Sequence, residues 1–257
     1  MTFLLAMLVA VAAAVRSTWS PCGVSMLSTI TPLTEATRGH RFSATAWWYV
    51  IGSLVGGVTL GALIALPALA IGTIGESSEL LILAVVALVS VASDGRLAGF
   101  QLPGHDRQVN EHWLNRYRGW IYGAGFGWQI GFGLSTYIMT AGVYLLVVAG
   151  AVGGSAVNAL LLGAVFGLIR GVGVFAASEI RDRESMANFH RRFETWRQPV
   201  RKAMIIVLGV VGTTAGIGSG GLLGLLVASV TVVATVAGVR TNRETSYRMR
   251  AVGTGST

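Results

Sequence analysis

One thiol, two guanidinium groups set inside apolar runs and one amide could do chemistry in this sequence: Cys22, Arg16, Arg170 and Gln129. Cys22 is the sole cysteine, which excludes an internal disulfide and any zinc or cluster site built on cysteines. It follows Ser20 and Pro21. It is either a thiol that exchanges with a partner protein or a small apolar residue packed beside a proline-induced helix break. Arg16 lies between two apolar halves of the first hydrophobic unit, where inserting a charge costs at least about 2.5 kcal/mol. A charge kept there lines a polar cavity or has a partner. Arg170 is placed in the same way, on the helix that carries Gly163, Gly167 and Gly171. Asp94 and Glu179 fall at span ends, so no carboxylate is expected at the depth of these arginines. Two guanidinium groups facing one cavity suit an anionic solute, with Gln129 beside its path. The competing reading is that each arginine snorkels to its own face or bonds the carbonyls of a broken helix.

The remaining polar residues offer less. Gln129 and Asn158 read as interhelical hydrogen-bonding groups, and the glycines at four-residue spacing as faces for close helix approach. None of those glycines is followed by a phosphate-loop lysine. His40, His105, His112 and His190 all fall in loops. His105 and His112, with Asp106 and Glu111, match no metal-ligand spacing, so neither a metal nor a cofactor is expected. There is no nucleophile–base–acid arrangement and no pair of intramembrane carboxylates. Nothing specifies an enzyme.

These side chains sit in a strongly apolar frame. Of 257 residues, 53 % are hydrophobic and 12 % charged, against about 25 % charged in an ordinary soluble domain. Apolar stretches long enough to span about 30 Å of hydrocarbon recur along the chain, which predicts an all-α polytopic membrane protein. The first unit is Thr2 to Leu33, interrupted around Arg16 to Pro21. The next run from about Ala44 to Gly72, Leu80 to Ser93, Trp120 to Val152 and Ala156 to Ala177. The long stretch from Ala203 to Val239 is split at Gly218-Ser219-Gly220-Gly221, because one helix of that length would overshoot the bilayer. The net charge of +8 is spread over short segments between spans, where it meets lipid headgroups, and does not form a nucleic-acid-binding domain.

Charge parity orients the spans. Arg38 and Arg41 follow the first span, and Glu76 and Glu79 the second. Arg96, Arg107, Arg116 and Arg118 follow the third. No charge follows the fourth, and a run from Arg181 to Lys202 follows the fifth. Basic loops alternate, and the tail from residue 240 is basic. The positive-inside rule then predicts seven spans in the bacterial cytoplasmic membrane, with the N-terminus outside and the C-terminus inside. No basic residue precedes the run Thr2 to Val15, so it reads as a membrane helix and not a signal peptide. Two aromatic stripes, Val109-Trp113-Tyr117-Trp120 and Met186-Phe189-Phe193-Trp196, read as short interfacial helices or as docking surfaces for a partner.

Two segments match at a fixed offset: Trp19-Ser-Pro-Cys-Gly-Val-Ser-Met-Leu-Ser and Trp128-Gln-Ile-Gly-Phe-Gly-Leu-Ser-Thr. Each heads a set of three spans, entered from opposite faces. The sequence thus predicts a single transmembrane domain over 1–239, built from an inverted repeat (about 1–95 and 118–217) plus an extra helix at about 222–239. Ser20-Pro21-Cys22, with Pro32 beyond it, and Phe126-Gly127-Trp128-Gln129-Ile130-Gly131-Phe132-Gly133 resemble the two motifs of the transmembrane thiol–disulfide interchange family (the CcdA/DsbD type of cytochrome c biogenesis). The resemblance implies a disulfide between one cysteine in each half. Here Cys22 fills the first position, while Gly131 stands where the second cysteine would be and Ile130 where proline would be. A dithiol relay cannot run on one thiol. The expectation is therefore a degenerate member that moves a small, anionic solute past Arg16, Gln129 and Arg170, with Ser20, Pro21, Cys22, Gly131 and Gly133 as its helix breaks. The alternatives are a non-catalytic membrane subunit or scaffold of a larger complex, and a single-cysteine partner in thiol exchange or cytochrome c maturation.

Overall fold

The computed structural model describes residues 1–103, 118–134 and 136–240. Among these the secondary structure is all helical, and the helices run in chain order as follows. α1 is Thr2–Ser17, α2 Pro21–Thr29, α3 Pro32–Thr37, α4 Phe42–Ile71 and α5 Glu76–Gly95. α6 is Gly119–Phe132, α7 Gly142–Val152, α8 Ala156–Val172, α9 Arg183–Ser219 and α10 Gly221–Arg240. Five helices are long and apolar enough to cross a membrane: α4, α5, α8 with its 3-10 extension to Ala177, α9 and α10. The bent pair α1 and α2 makes a sixth. The chain is therefore a membrane protein of the all-α class. His105, His112 and the first aromatic stripe up to Tyr117 lie outside the described residues, as does the tail beyond Arg240.

The breaks follow from local chemistry. Between α1 and α2 the axis turns by 62°. Pro21 opens α2 with its φ already set and no N–H to satisfy, and the Ser20 hydroxyl accepts the Gly23 N–H at 3.2 Å. α6 stops at Gly133, whose φ of +71° suits a residue without a Cβ, and an irregular segment leads to α7. α9 and α10 are separated by Gly220 and Gly221, both at positive φ.

The second aromatic stripe is not a separate interfacial helix. It forms the first half of α9, which opens on an Asp182–Ser185 capping box and runs unbroken past Pro199. Three of the stripe's four residues pack on the protein itself, while Trp196 is 59 % exposed. Met186, Phe189 and Phe193 pack on Leu27, Ala177 and Ile180, Trp19 stacks on Phe193 at 4.5 Å, and Trp19 Nε1 donates to the Phe193 carbonyl at 2.8 Å.

Glycines set the central packing. α4 and α6 run parallel, Gly52 meeting Ala124 and Gly56 meeting Trp128. α8 runs antiparallel to α4, with Gly57 against Gly163 and Gly167, and Gly61 against Ala159. Around this core α1, α5, α7, α8 and α9 share one continuous apolar cluster. The two ends of the bundle differ in charge. Met1 lies beside Glu76 and Gly218, and Gly72 beside Gly154, so the N-termini of α1, α5, α8 and α10 gather at one end. Among the described residues its charged side chains are Glu76 and Glu79. Gly95 meets Gly238 at the other end, which carries the described Lys and Arg residues.

Candidate functional site

At the basic end, the last turns of α1 and α5, the start of α7 and the middle of α9 converge on a polar cleft. Arg16 and Arg201 are 4 % and 3 % exposed, and both line a cavity of about 70 Å³ together with Asp94. Arg201 donates from Nε and Nη2 to the Asp94 main-chain carbonyl, at 3.3 and 3.2 Å. The Asp94 carboxylate accepts the Ala141 N–H at 2.8 Å and the Thr140 hydroxyl. The charges of Arg16 and Arg201 both act on that carboxylate. A carboxylate at a helix C-terminus opposes the helix dipole, so its place there depends on these donors. Asp94 thereby ties the irregular segment before α7 to α5 and α9. The sequence reading put no acid at the depth of Arg16. The structure corrects this, because the end of α5 reaches the end of α1.

Arg170 belongs to a different place. Its Nη1 donates to the Ile130 carbonyl at 2.7 Å, near the C-terminal end of α6, and its guanidinium lies 5.5 Å from the Phe166 ring centroid. A cationic donor at the end of a broken helix satisfies a carbonyl that lacks its helical partner. A space of about 10 Å³ beside it is lined by Tyr49, Gly23 and Ile130. Arg16 and Arg170 therefore do not face one cavity, and the predicted shared path is not formed. Gln129 is half-buried on α6 and lines neither space. Replacing Arg170 with Gln is expected to lower stability by roughly 2 kcal/mol through the lost charge-assisted bond. Equilibrium unfolding in mixed micelles measures this.

A third polar group was not singled out from the sequence. Glu35 of α3 is completely buried. It accepts the Tyr122 hydroxyl at 2.6 and 2.5 Å, the Thr45 hydroxyl at 2.6 Å and Arg38 Nη1 at 3.2 Å. Arg38 also donates to the Thr29 carbonyl at 3.1 Å. One carboxylate thus joins the short helices after α1 to α4 and α6. The available signal was the lone acid three residues before Arg38, in a segment that reads as an ordinary polar loop.

Cys22 is buried with Tyr49, Tyr122, Phe126 and Ile130. Gly131, next to Ile130, faces α4: a Cβ built on it would lie 1.9 Å from the Ser53 carbonyl oxygen. Gly127 meets Tyr49 and Ser53 in the same way. The second segment is thus a glycine face for close helix contact, with no room for the side chain that a dithiol site requires.

The fold and its polar groups define a polytopic α-helical membrane protein with buried ionic clusters at its basic end. Within that class, the chain is similar to proteins called methylamine utilization protein MauF. It is 30 % identical to that of Paracoccus versutus over 168 residues, covering 63 % of this chain and 61 % of the relative. The MauF of Paracoccus denitrificans is 30 % identical over 168 residues (63 % and 59 %), and that of Methylophilus methylotrophus 28 % over 167 (60 % and 55 %). The chain thus spans about 60 % of the length of the first of these relatives. No protein-family profile matches the chain, and no solved structure matches it.

These findings correct the expectations drawn from the two short motifs. The relatives are methylamine utilization proteins and not members of the thiol–disulfide interchange family, so the CcdA/DsbD assignment is withdrawn. The readings built beside it, as a solute transporter, a non-catalytic scaffold or a single-thiol partner in cytochrome c maturation, are withdrawn with it. The physical reason lies in the residues: Gly131 is committed to helix packing, and the two arginines are committed to separate clusters.

Proposed function

We propose that this chain is a seven-span protein of the bacterial cytoplasmic membrane that acts in methylamine utilization. The observation that carries the reading is the run of matches, at 28–30 % identity, to MauF proteins of five bacteria. The chemistry of the polar cleft narrows the role. Methylamine is a cation at neutral pH, and among the described residues the charged side chains that line the cleft are Arg16, Arg96, Arg197 and Arg201 with Asp94. Such a site repels a small ammonium ion. We infer that this cleft is not where a cationic amine is held. Deleting its gene is expected to abolish growth on methylamine as sole nitrogen source and leave growth on ammonium unchanged. Equal growth on methylamine would overturn the reading.

The seventh crossing in this proposal is α6 and α7 taken together. Both run in the direction of α4: Gly52 and Gly56 meet successive turns of α6, and α7 leads from Ala141, bonded to Asp94 at the end of α5, to Gly150, which meets Ile64 in the second half of α4. α1, broken at Pro21, and α6–α7, broken at Gly133, then form the first crossings of two inverted halves. The segregation of arginines to one end supports an outside N-terminus and an inside C-terminus. Green fluorescent protein fused after Thr257 is expected to fluoresce, and alkaline phosphatase fused after Gly75 to be active. The opposite pattern would reverse the orientation.

A further inference from the structure

We propose that Arg170 and Tyr49 hold one small monovalent anion of halide size, where the bend between α1 and α2 meets the ends of α6 and α8. Three observations converge. The first is an unmet charge. Arg170 is 4 % exposed, and its Nε and Nη2 have no hydrogen-bond partner. Its polar contacts among the described residues are the bond from Nη1 to the Ile130 carbonyl and the face of the Phe166 ring. Neither is a negative charge. The titratable groups whose charge acts on it are Tyr49 and Cys22, a phenol and a thiol, and no carboxylate is among them. A buried ion costs several kcal/mol unless an opposite charge meets it.

The second observation is a space of matching size. Arg170 and Tyr49 line a void of about 10 Å³ with Thr18, Gly23, Ile130 and Gly173, room for one water-sized body. A tetrahedral oxyanion is too large for it. The third is the kind of group that faces the space. Tyr49 is 3 % exposed, and no hydrogen bond from its hydroxyl is found among the described residues. The unmet groups are thus N–H and O–H donors beside one positive charge. A monatomic anion accepts from all of them and supplies the missing charge, whereas a water supplies none. Thr18 and Gly23 flank the bend between α1 and α2, Ile130 lies near the end of α6, and Gly173 follows α8. An ion held there is a fixed counter-charge that ties these helix ends together. This inference does not depend on the role in amine use.

The test uses the full chain, purified without halide in a neutral detergent, with thermal unfolding as the readout. Sodium chloride replaces sodium gluconate at constant ionic strength, and each variant is compared with its own gluconate baseline. The wild type is expected to gain stability saturably with chloride, and bromide should substitute for it. Arg170→Gln should lose the response, whatever its baseline stability. Tyr49→Phe keeps the charge of Arg170 and its bond to Ile130, so it decides the matter where Arg170→Gln does not fold. Its half-saturating chloride concentration should rise more than about threefold. A counter-charge from Cys22 as a thiolate, or a water in the space, predicts no dependence on chloride. No response in the wild type therefore overturns the proposal. A response kept in Arg170→Gln belongs to exposed arginines and overturns it too, as does any smaller rise in Tyr49→Phe.

Discussion

A Gly131→Cys variant, which carries a thiol at each of the two matched segments, is expected to lose about 3 kcal/mol of stability and gain no disulfide. The Cβ alone would lie 1.9 Å from the Ser53 carbonyl oxygen and 2.6 Å from its carbonyl carbon. The atoms struck belong to the backbone of α4, so no side chain can rotate away, and α4 and α6 must move apart. Gly127 makes the same kind of contact one turn earlier, and Gly167 meets the Ser53 carbonyl from α8, so the strain spreads over three helices. Overpacking of a well-filled interior costs typically 1–3 kcal/mol, and a backbone-to-backbone clash belongs at the upper end. Gly131→Ala should lose nearly as much, because the clash is with Cβ and not with sulfur. Reversible unfolding in mixed micelles measures both. A Gly131→Cys protein of normal stability that cross-links to Cys22 under mild oxidation would restore the dithiol reading.

Removing the carboxylate of Glu35 should do comparable damage by another route. Glu35→Ala leaves the buried Tyr122 and Thr45 hydroxyls without this acceptor and the half-buried Arg38 guanidinium with the Thr29 carbonyl in place of a carboxylate. Breaking a buried charged network by deleting one partner costs about 3–5 kcal/mol, and the lower end, about 3 kcal/mol, applies here because Arg38 reaches solvent while the two hydroxyls stay desolvated. Glu35→Gln keeps an acceptor oxygen and should lose about half as much. Tyr122→Phe removes one donor and leaves the carboxylate bonded by Thr45 and Arg38, so about 1 kcal/mol is expected. The ranking Ala, then Gln, then Phe is the diagnostic result. Equal, small losses from all three would mean that Glu35 is not holding α3, α4 and α6 together.

Much of the frame was legible before any coordinates, and the reason is the bilayer. Water-free hydrocarbon forces every backbone group into helix, so apolar runs near Phe42–Ile71, Glu76–Gly95 and Ala156–Ala177 mark themselves. Pro21 and the Gly220-Gly221 pair are equally plain, since one lacks an N–H and the others adopt positive φ. What stayed hidden was which polar residues meet. Arg16 and Asp94 are 78 residues apart, and only the packing of α1, α5 and α9 shows that one cleft holds both. Arg170 looked equivalent to Arg16 by depth alone, yet it caps α6 instead. The aromatic stripe of α9 had the right spacing for a lipid-facing helix. Its partner surface, Leu27 and Ile180, lies in distant segments that no local pattern connects to it.

The motif comparison failed for a related reason. A Phe-Gly-Trp run preceding Gly131 reads the same whether its glycines turn a chain or seat a neighbouring helix. The structure decides for the second, since Gly127 and Gly131 sit inside α6 and the turn falls at Gly133. An acid at the end of an apolar span, such as Asp94, carries a signal of its own. It opposes the dipole of its own helix and so announces partners elsewhere.

The most direct measurement is growth of a Paracoccus denitrificans strain that lacks its own MauF and is supplied with this chain, on methylamine as sole nitrogen source. The account predicts that the wild-type chain restores growth. Asp94→Asn combined with Arg201→Gln, made at the same membrane level, should not. A wild-type chain that reaches the membrane in normal amount and restores nothing would contradict it.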